Sequence, residues 1–160
     1  MASGRYTLLL LSCLMLVACD PGYDMKMDIH NNSGHAVMLL PPADSAMLQT
    51  DPWYSNREGI GIKADSCYEI HLCGGLGIAS FDEAKWTVKN VLIPDSAVFL
   101  FDDGRRLVYY AEDTVSEGSP YNFNSTHYEY SEKAGIAFNG APYFGLLAYT
   151  LTQEQYEQSN

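Results

Sequence analysis

The chain has 160 residues, 47% of them hydrophobic, which suffices for one domain with its own core. Nine basic residues face 20 acidic ones, for a formal net charge of −11. Phosphate neutralisation needs clustered Lys and Arg, so this composition argues against a nucleic-acid partner.

The first nineteen residues have the layout of a secretory signal. Arg5 precedes an apolar run, Thr7 to Ala18, which ends in Leu16-Val17-Ala18-Cys19. The run is about twelve residues, short of the ~20 a membrane-crossing helix needs. Turn-forming and charged residues follow at once, in Asp20-Pro21-Gly22-Tyr23-Asp24. The last four signal residues resemble the lipobox of bacterial lipoproteins. In that family the cysteine is acylated and becomes the new N-terminus. The resemblance implies a signal peptide over 1–18, a lipidated tether over 19–24 and a folded domain over 25–160. It also implies a cell-envelope location, with the lipid on Cys19 in the outer membrane. Each buried methylene of a lipid adds about 0.8 kcal/mol, so more than one acyl chain anchors stably. Loss of Arg5 leaves 20 acidic residues facing 8 basic ones. Such a surface is repelled by anionic headgroups, so the lipid is what holds it at the membrane.

The remainder reads as short alternating runs between turn residues. Met25 to His30 alternates, with Met25, Met27 and Ile29 inward. Asn31-Asn32-Ser33-Gly34 is a turn, and His35 to Leu40 is a second apolar run, stopped by Pro41-Pro42. The pair reads as a hairpin or as neighbouring strands. Residues 43–64 look like a long irregular connection. Within it, Trp53-Tyr54 beside Asp51 and Pro52 is a candidate contact surface, because loop aromatics contribute to recognition.

Cys67 to Cys73 alternates like a strand, with Tyr68, Ile70 and Leu72 on one face. Cys13 leaves with the signal and Cys19 takes the lipid, so only these two thiols remain for a disulfide. A straight strand separates them by about 20 Å, whereas a disulfide needs Cα atoms within about 7 Å. Either the segment bends and Cys67 bonds Cys73, or both thiols are free. Metal binding by Cys67, His71 and Cys73 fails on the same geometry, and no metal or other cofactor is expected. Gly75 to Ser80 lacks the third glycine and the βαβ setting of a dinucleotide loop, and reads as a flexible loop.

Ser80 and Glu83 have capping-box spacing before a short helix. Thr87 to Ile93 is β-branched and strand-like. Ala97–Phe101 and Arg105–Tyr110 flank Asp102-Asp103-Gly104, the strongest hairpin signal in the chain. Residues 112–127 are loop-like. Tyr128–Tyr130 and Gly135–Phe138 read as short strands, and Tyr143–Thr150 as a buried one. Thr152 and Gln155 have capping-box spacing before a terminal helix through Gln158. Many short strands with little helix predict an all-β, immunoglobulin-like β-sandwich with a short C-terminal helix.

Several features together resemble small lipoproteins of Bacteroidota. They are the lipobox, the Phe99–Asp103 hairpin and the ending Tyr149-Thr150-Leu151-Thr152-Gln153-Glu154-Gln155-Tyr156, and with them goes a fourth, the first strand ending in Ile29-His30-Asn31-Asn32-Ser33. The resemblance implies a β-sandwich domain in the cell envelope and no particular reaction. Asp44-Ser45-Ala46, Asp95-Ser96-Ala97 and Asp113-Thr114-Val115 resemble the O-glycosylation sites of the same bacteria, which marks Ser45, Ser96 and Thr114.

No histidine sits beside a nucleophile motif, and there is no G-x-S-x-G elbow. Eight tyrosines follow residue 100; a phenol ring suits strand packing, sugar rings and protein partners alike. The expectation is a membrane-anchored, non-catalytic binding or structural module for a protein or glycan. The alternative is a glycan hydrolase using carboxylates such as Asp82, Glu83 or Asp113. Two opposed carboxylates in a cleft would distinguish it.

Overall fold

A computed structural model describes residues 22–40, 59–76, 80–134 and 142–160. They form eight strands: β1 (Gly22–Asn32), β2 (Val37–Leu40), β3 (Ile60–Ile62), β4 (Ser66–Leu76), β5 (Ser96–Phe101), β6 (Arg106–Tyr110), β7 (Tyr128–Ala134) and β8 (Pro142–Thr152). Helix α1 (Phe81–Thr87) continues into a π-turn over Val88–Leu92, and α2 (Gln153–Glu157) follows β8. One sheet has the order β4-β1-β8-β7, the other β3-β2-β5-β6. Side chains of both meet in one core, so the domain is a β-sandwich.

The alternation of β1 decides its faces. Met25, Met27 and Ile29 are buried against Leu147, Tyr149 and Leu151 of β8 and Phe99 and Phe101 of β5. The intervening residues of β1 lie on the outer face, as a period of two requires. β1 pairs parallel with β8 and antiparallel with β4. Strand order begins at Gly22, so the stretch expected to be a tether over 19–24 already pairs at its end, with Tyr23 opposite Gly75 and Asp24 opposite Gly74.

Several expectations need correction. β1 and β2 do not pair; the chain crosses from one sheet to the other between them. Asn31, fully buried, makes this crossing. Its Nδ2 donates to the carbonyls of His35, Ile62 and Lys63, and its Oδ1 accepts from the Ser33 N–H and hydroxyl. Ile60–Ile62, expected to be irregular, pairs with β2. Gly74 to Leu76 extends β4 rather than opening a loop. Of the expected strand Thr87 to Ile93, residues Thr87 to Leu92 are helical instead of extended, because α1 runs on into the π-turn and buries Val88 completely. Ser80 is the N-cap of α1 but its side chain makes no capping bond. Glu83, the other half of that box, accepts from the Tyr23 hydroxyl instead.

Local turn chemistry succeeds elsewhere. β5 and β6 form the antiparallel hairpin expected, with Gly104 at φ +88°. Thr152 and Gln155 complete the capping box of α2. The tyrosines are largely structural. Hydroxyls of Tyr121, Tyr128, Tyr130 and Tyr149 donate to the carbonyls of Ile93, Pro120, Phe123 and Gly118. Gln155 Nε2 adds donors to Gly118 O and to the hydroxyls of Tyr109 and Tyr149. The polar loop over 112–127 is thereby pinned to the core through phenol tips. Burial pushes the Tyr121, Tyr128 and Tyr149 hydroxyls well above the usual phenol range.

Candidate functional site

The outer face of β1 and β4 carries a ladder of ionisable side chains. Asp24 meets His71 Nε2 at 2.7 Å. Lys26 Nζ donates to Glu69 Oε1 at 2.7 Å, which raises the lysine pKa. The next rung holds Asp28, His30 and Cys67. Their carboxylate oxygen, ring nitrogen and sulfur all lie within 4.8 Å of one another. Strand geometry brings them together. Asp28 and His30 are two apart on β1 and share a face, and Cys67 is the cross-strand partner of His30. Partial burial and the Asp28 carboxylate, to which the thiol also hydrogen-bonds, raise the Cys67 pKa. This trio has no motif spacing in the sequence. Only the register of β1 against β4 reveals it.

Cys67 and Cys73 are both free, so the disulfide alternative is not realised. A bulge explains how far apart they are chemically. Met25 pairs with Cys73 and Lys26 with His71, which leaves Leu72 as an extra residue in β4. The bulge shifts the alternation by one, so Cys73 packs against the core while Cys67 stays on the outer face.

A second surface lies on α1 and β7. Phe81 meets Tyr130 edge to face, with ring centroids 5.2 Å apart, and Lys85 Nζ stands 5.1 Å from the Tyr130 ring. Trp86, next on the helix, is 59% exposed. Burial of a Trp side chain is favourable by a few kcal/mol, so an indole left in solvent is a contact-surface feature. Tyr23 closes the edge of this surface: its bond to Glu83 raises its hydroxyl pKa to about 12.

The carboxylates considered for catalysis are dispersed and engaged. Asp82 and Glu83 are neighbours on one turn of α1; Asp82 approaches Lys85 at 3.8 Å and Glu83 holds Tyr23. Asp113, in the loop after β6, accepts the Ser116 N–H. Among the described residues, two carboxyls are clearly shifted, and both are lowered: Asp103 by the Arg105 N–H and the Tyr156 hydroxyl, Glu117 by the hydroxyl and N–H of Thr126. A general acid needs the opposite shift.

Cys19, Ser45, Trp53 and Tyr54 lie outside the described residues. Ser96 is half-buried at the start of β5, opposite Tyr110, and Thr114 is exposed. Among the described residues no helix is long and apolar enough to cross a membrane. No protein-family model matches the chain, and no curated protein matches it by sequence.

Proposed function

We propose that the chain is a lipid-anchored, non-catalytic binding module of a bacterial cell envelope, of the small Bacteroidota lipoprotein type. Leu16-Val17-Ala18-Cys19 supports the anchor. Only Asp20 and Pro21 separate Cys19 from β1, which starts at Gly22, a span of about 10 Å at full extension. A lipid there would hold the sandwich close against the membrane. The observation that carries the binding role is Trp86 of α1, whose indole is left 59% exposed. Aromatic faces of this kind suit sugar rings and protein side chains. The hydrolase alternative gains no support from the placement of Asp82, Glu83 and Asp113. Thr114, exposed in the loop, is the better placed glycosylation acceptor of the two described.

Calorimetric titration with envelope glycan fragments and with a solubilised envelope-protein fraction tests this reading. Saturable binding is expected with one of them, weakened about tenfold or more by Trp86→Ala, a loss of ~1.4 kcal/mol. The melting temperature should stay unchanged, since the indole is not part of the core. Binding indifferent to Trp86→Ala would remove this surface from the account. New reducing ends appearing in the glycan would replace the binding role with the hydrolytic one.

A further inference from the structure

We propose that the outer face of β1 and β4 holds a divalent metal ion of the zinc class through Asp28, His30 and Cys67. This stands on the register of the sheet and is independent of the aromatic surface on α1. The three donor atoms lie within 4.8 Å of one another, so one ion could reach all of them. They combine a carboxylate, an imidazole and a thiolate, the donor set that borderline-soft zinc accepts. Calcium and magnesium want several oxygens, and only one of these ligands supplies any.

The backbone is already arranged for the task. β1 is an inner strand, bonded to β4 on one side and β8 on the other. His30 and Cys67 are direct cross-strand partners, and Asp28 is diagonal to Cys67. Two of the ligands, Asp28 and His30, are half-buried and Cys67 is exposed, which leaves the thiol side open for entry. The neighbouring donors are committed elsewhere: Glu69 to Lys26, and His71 to Asp24. The site therefore has three protein ligands, and a fourth position is left to water, as in zinc sites that keep an open position.

Charge and protons balance. The metal-free site brings the Cys67 thiol, the Asp28 carboxylate and the His30 imidazole together. Binding forms metal–sulfur, metal–nitrogen and metal–oxygen bonds, and the thiol proton leaves to solvent. Carboxylate and thiolate together then cancel the charge of the dication. Nothing is oxidised or reduced.

Cobalt(II) added to the full chain tests the site, because a cobalt–thiolate bond gives a charge-transfer band in the near ultraviolet. The wild type and Cys73→Ser should show the band at one cobalt per chain, and zinc should abolish it. Cys67→Ser should lack the band, and His30→Ala should weaken cobalt binding about tenfold or more. Absence of a band in the wild type, or a band that survives Cys67→Ser, overturns the proposal. Alkylation of the wild type covers the case in which a variant fails to fold. Zinc should slow iodoacetamide labelling of Cys67 and leave Cys73 unaffected. Equal labelling of Cys67 with and without zinc also overturns it.

Discussion

Asn31 shows how one buried amide can direct the chain. It receives no solvent, yet it satisfies three carbonyls with its amino group and the Ser33 N–H and hydroxyl with its oxygen. Asn31→Ala should therefore cost about 2–4 kcal/mol, since each buried polar group left unpaired costs ~1–3 kcal/mol. Asn31→Asp should be at least as damaging at neutral pH, because a carboxylate would face three carbonyl oxygens. Urea unfolding of the three proteins checks the order; an Asp variant as stable as wild type would contradict it. In sequence, Asn31 reads as one of two adjacent asparagines in a turn. That a turn occurs here was legible. That its first residue links the two sheets was not, because Ile62 and Lys63 are some thirty residues away along the chain.

At the scale of elements, local rules decide the hairpin, the terminal helix and the faces of β1. Gly104 sits at φ +88°, where a Cβ would meet no other atom within 4 Å. Gly104→Val should thus cost about 1 kcal/mol or more through backbone strain alone. A chevron or equilibrium unfolding curve identical to wild type would contradict the turn. The loop over 112–127 obeys a less local rule. Its carbonyls are taken by tyrosines of β7 and β8 and by Gln155 of α2. Gly118 has no room for a side chain there, since a Cβ would lie 2.6 Å from the Tyr109 hydroxyl.

The same tyrosines set an alkaline limit. Tyr121, Tyr128 and Tyr149 have raised folded-state pKa values because burial disfavours the phenolate. Their contribution is complete below the unfolded value near ~10 and is lost as pH climbs toward the folded values. Phenolate absorbance of these residues should rise together with loss of the β-sheet circular dichroism signal. Full tyrosine ionisation near pH 10 with the sheet signal intact would contradict their burial. Composition pointed to tyrosine as unusual, but periodicity does not say that the ring tips hold a loop.

What sequence periodicity misses has a common physical cause. The bulge at Leu72 flips Cys73 to the core face, and no residue type marks an inserted position in β4. The π-turn over Val88–Leu92 has the β-branched content of a strand, yet continues a helix because Ala84 and Val88 both bury. Ala97–Phe101 is apolar throughout, with Val98 as well as Phe99 buried, so it announces a strand without announcing which face is inside. The rung of Asp28, His30 and Cys67 depends on a register set across the sheet. Short-range spacing cannot contain it.

For the molecule as a whole, the two sheets and their shared core make a sandwich whose first strand starts three residues past Cys19. The terminal segment closes the opposite sheet: Asn160 exchanges backbone hydrogen bonds with Arg106 on the edge strand β6. Tyr156 stacks on His35 at 3.8 Å and donates to Asp103 at the hairpin. The ending Tyr149 to Tyr156 is thus a fastening of helix to hairpin, which accounts for its residues without a ligand. The functional account turns on the anchor, because a lipid at Cys19 would place Trp86 of α1 and the rung at Cys67 in the envelope. Mass spectrometry of the protein purified from membranes of a bacterial host tests it directly. The account predicts a mature chain that begins at Cys19 with acyl chains attached, and a Cys19→Ala variant that leaves the membrane fraction. A mature N-terminus at another residue, or an unmodified Cys19 in membrane-bound protein, would contradict it.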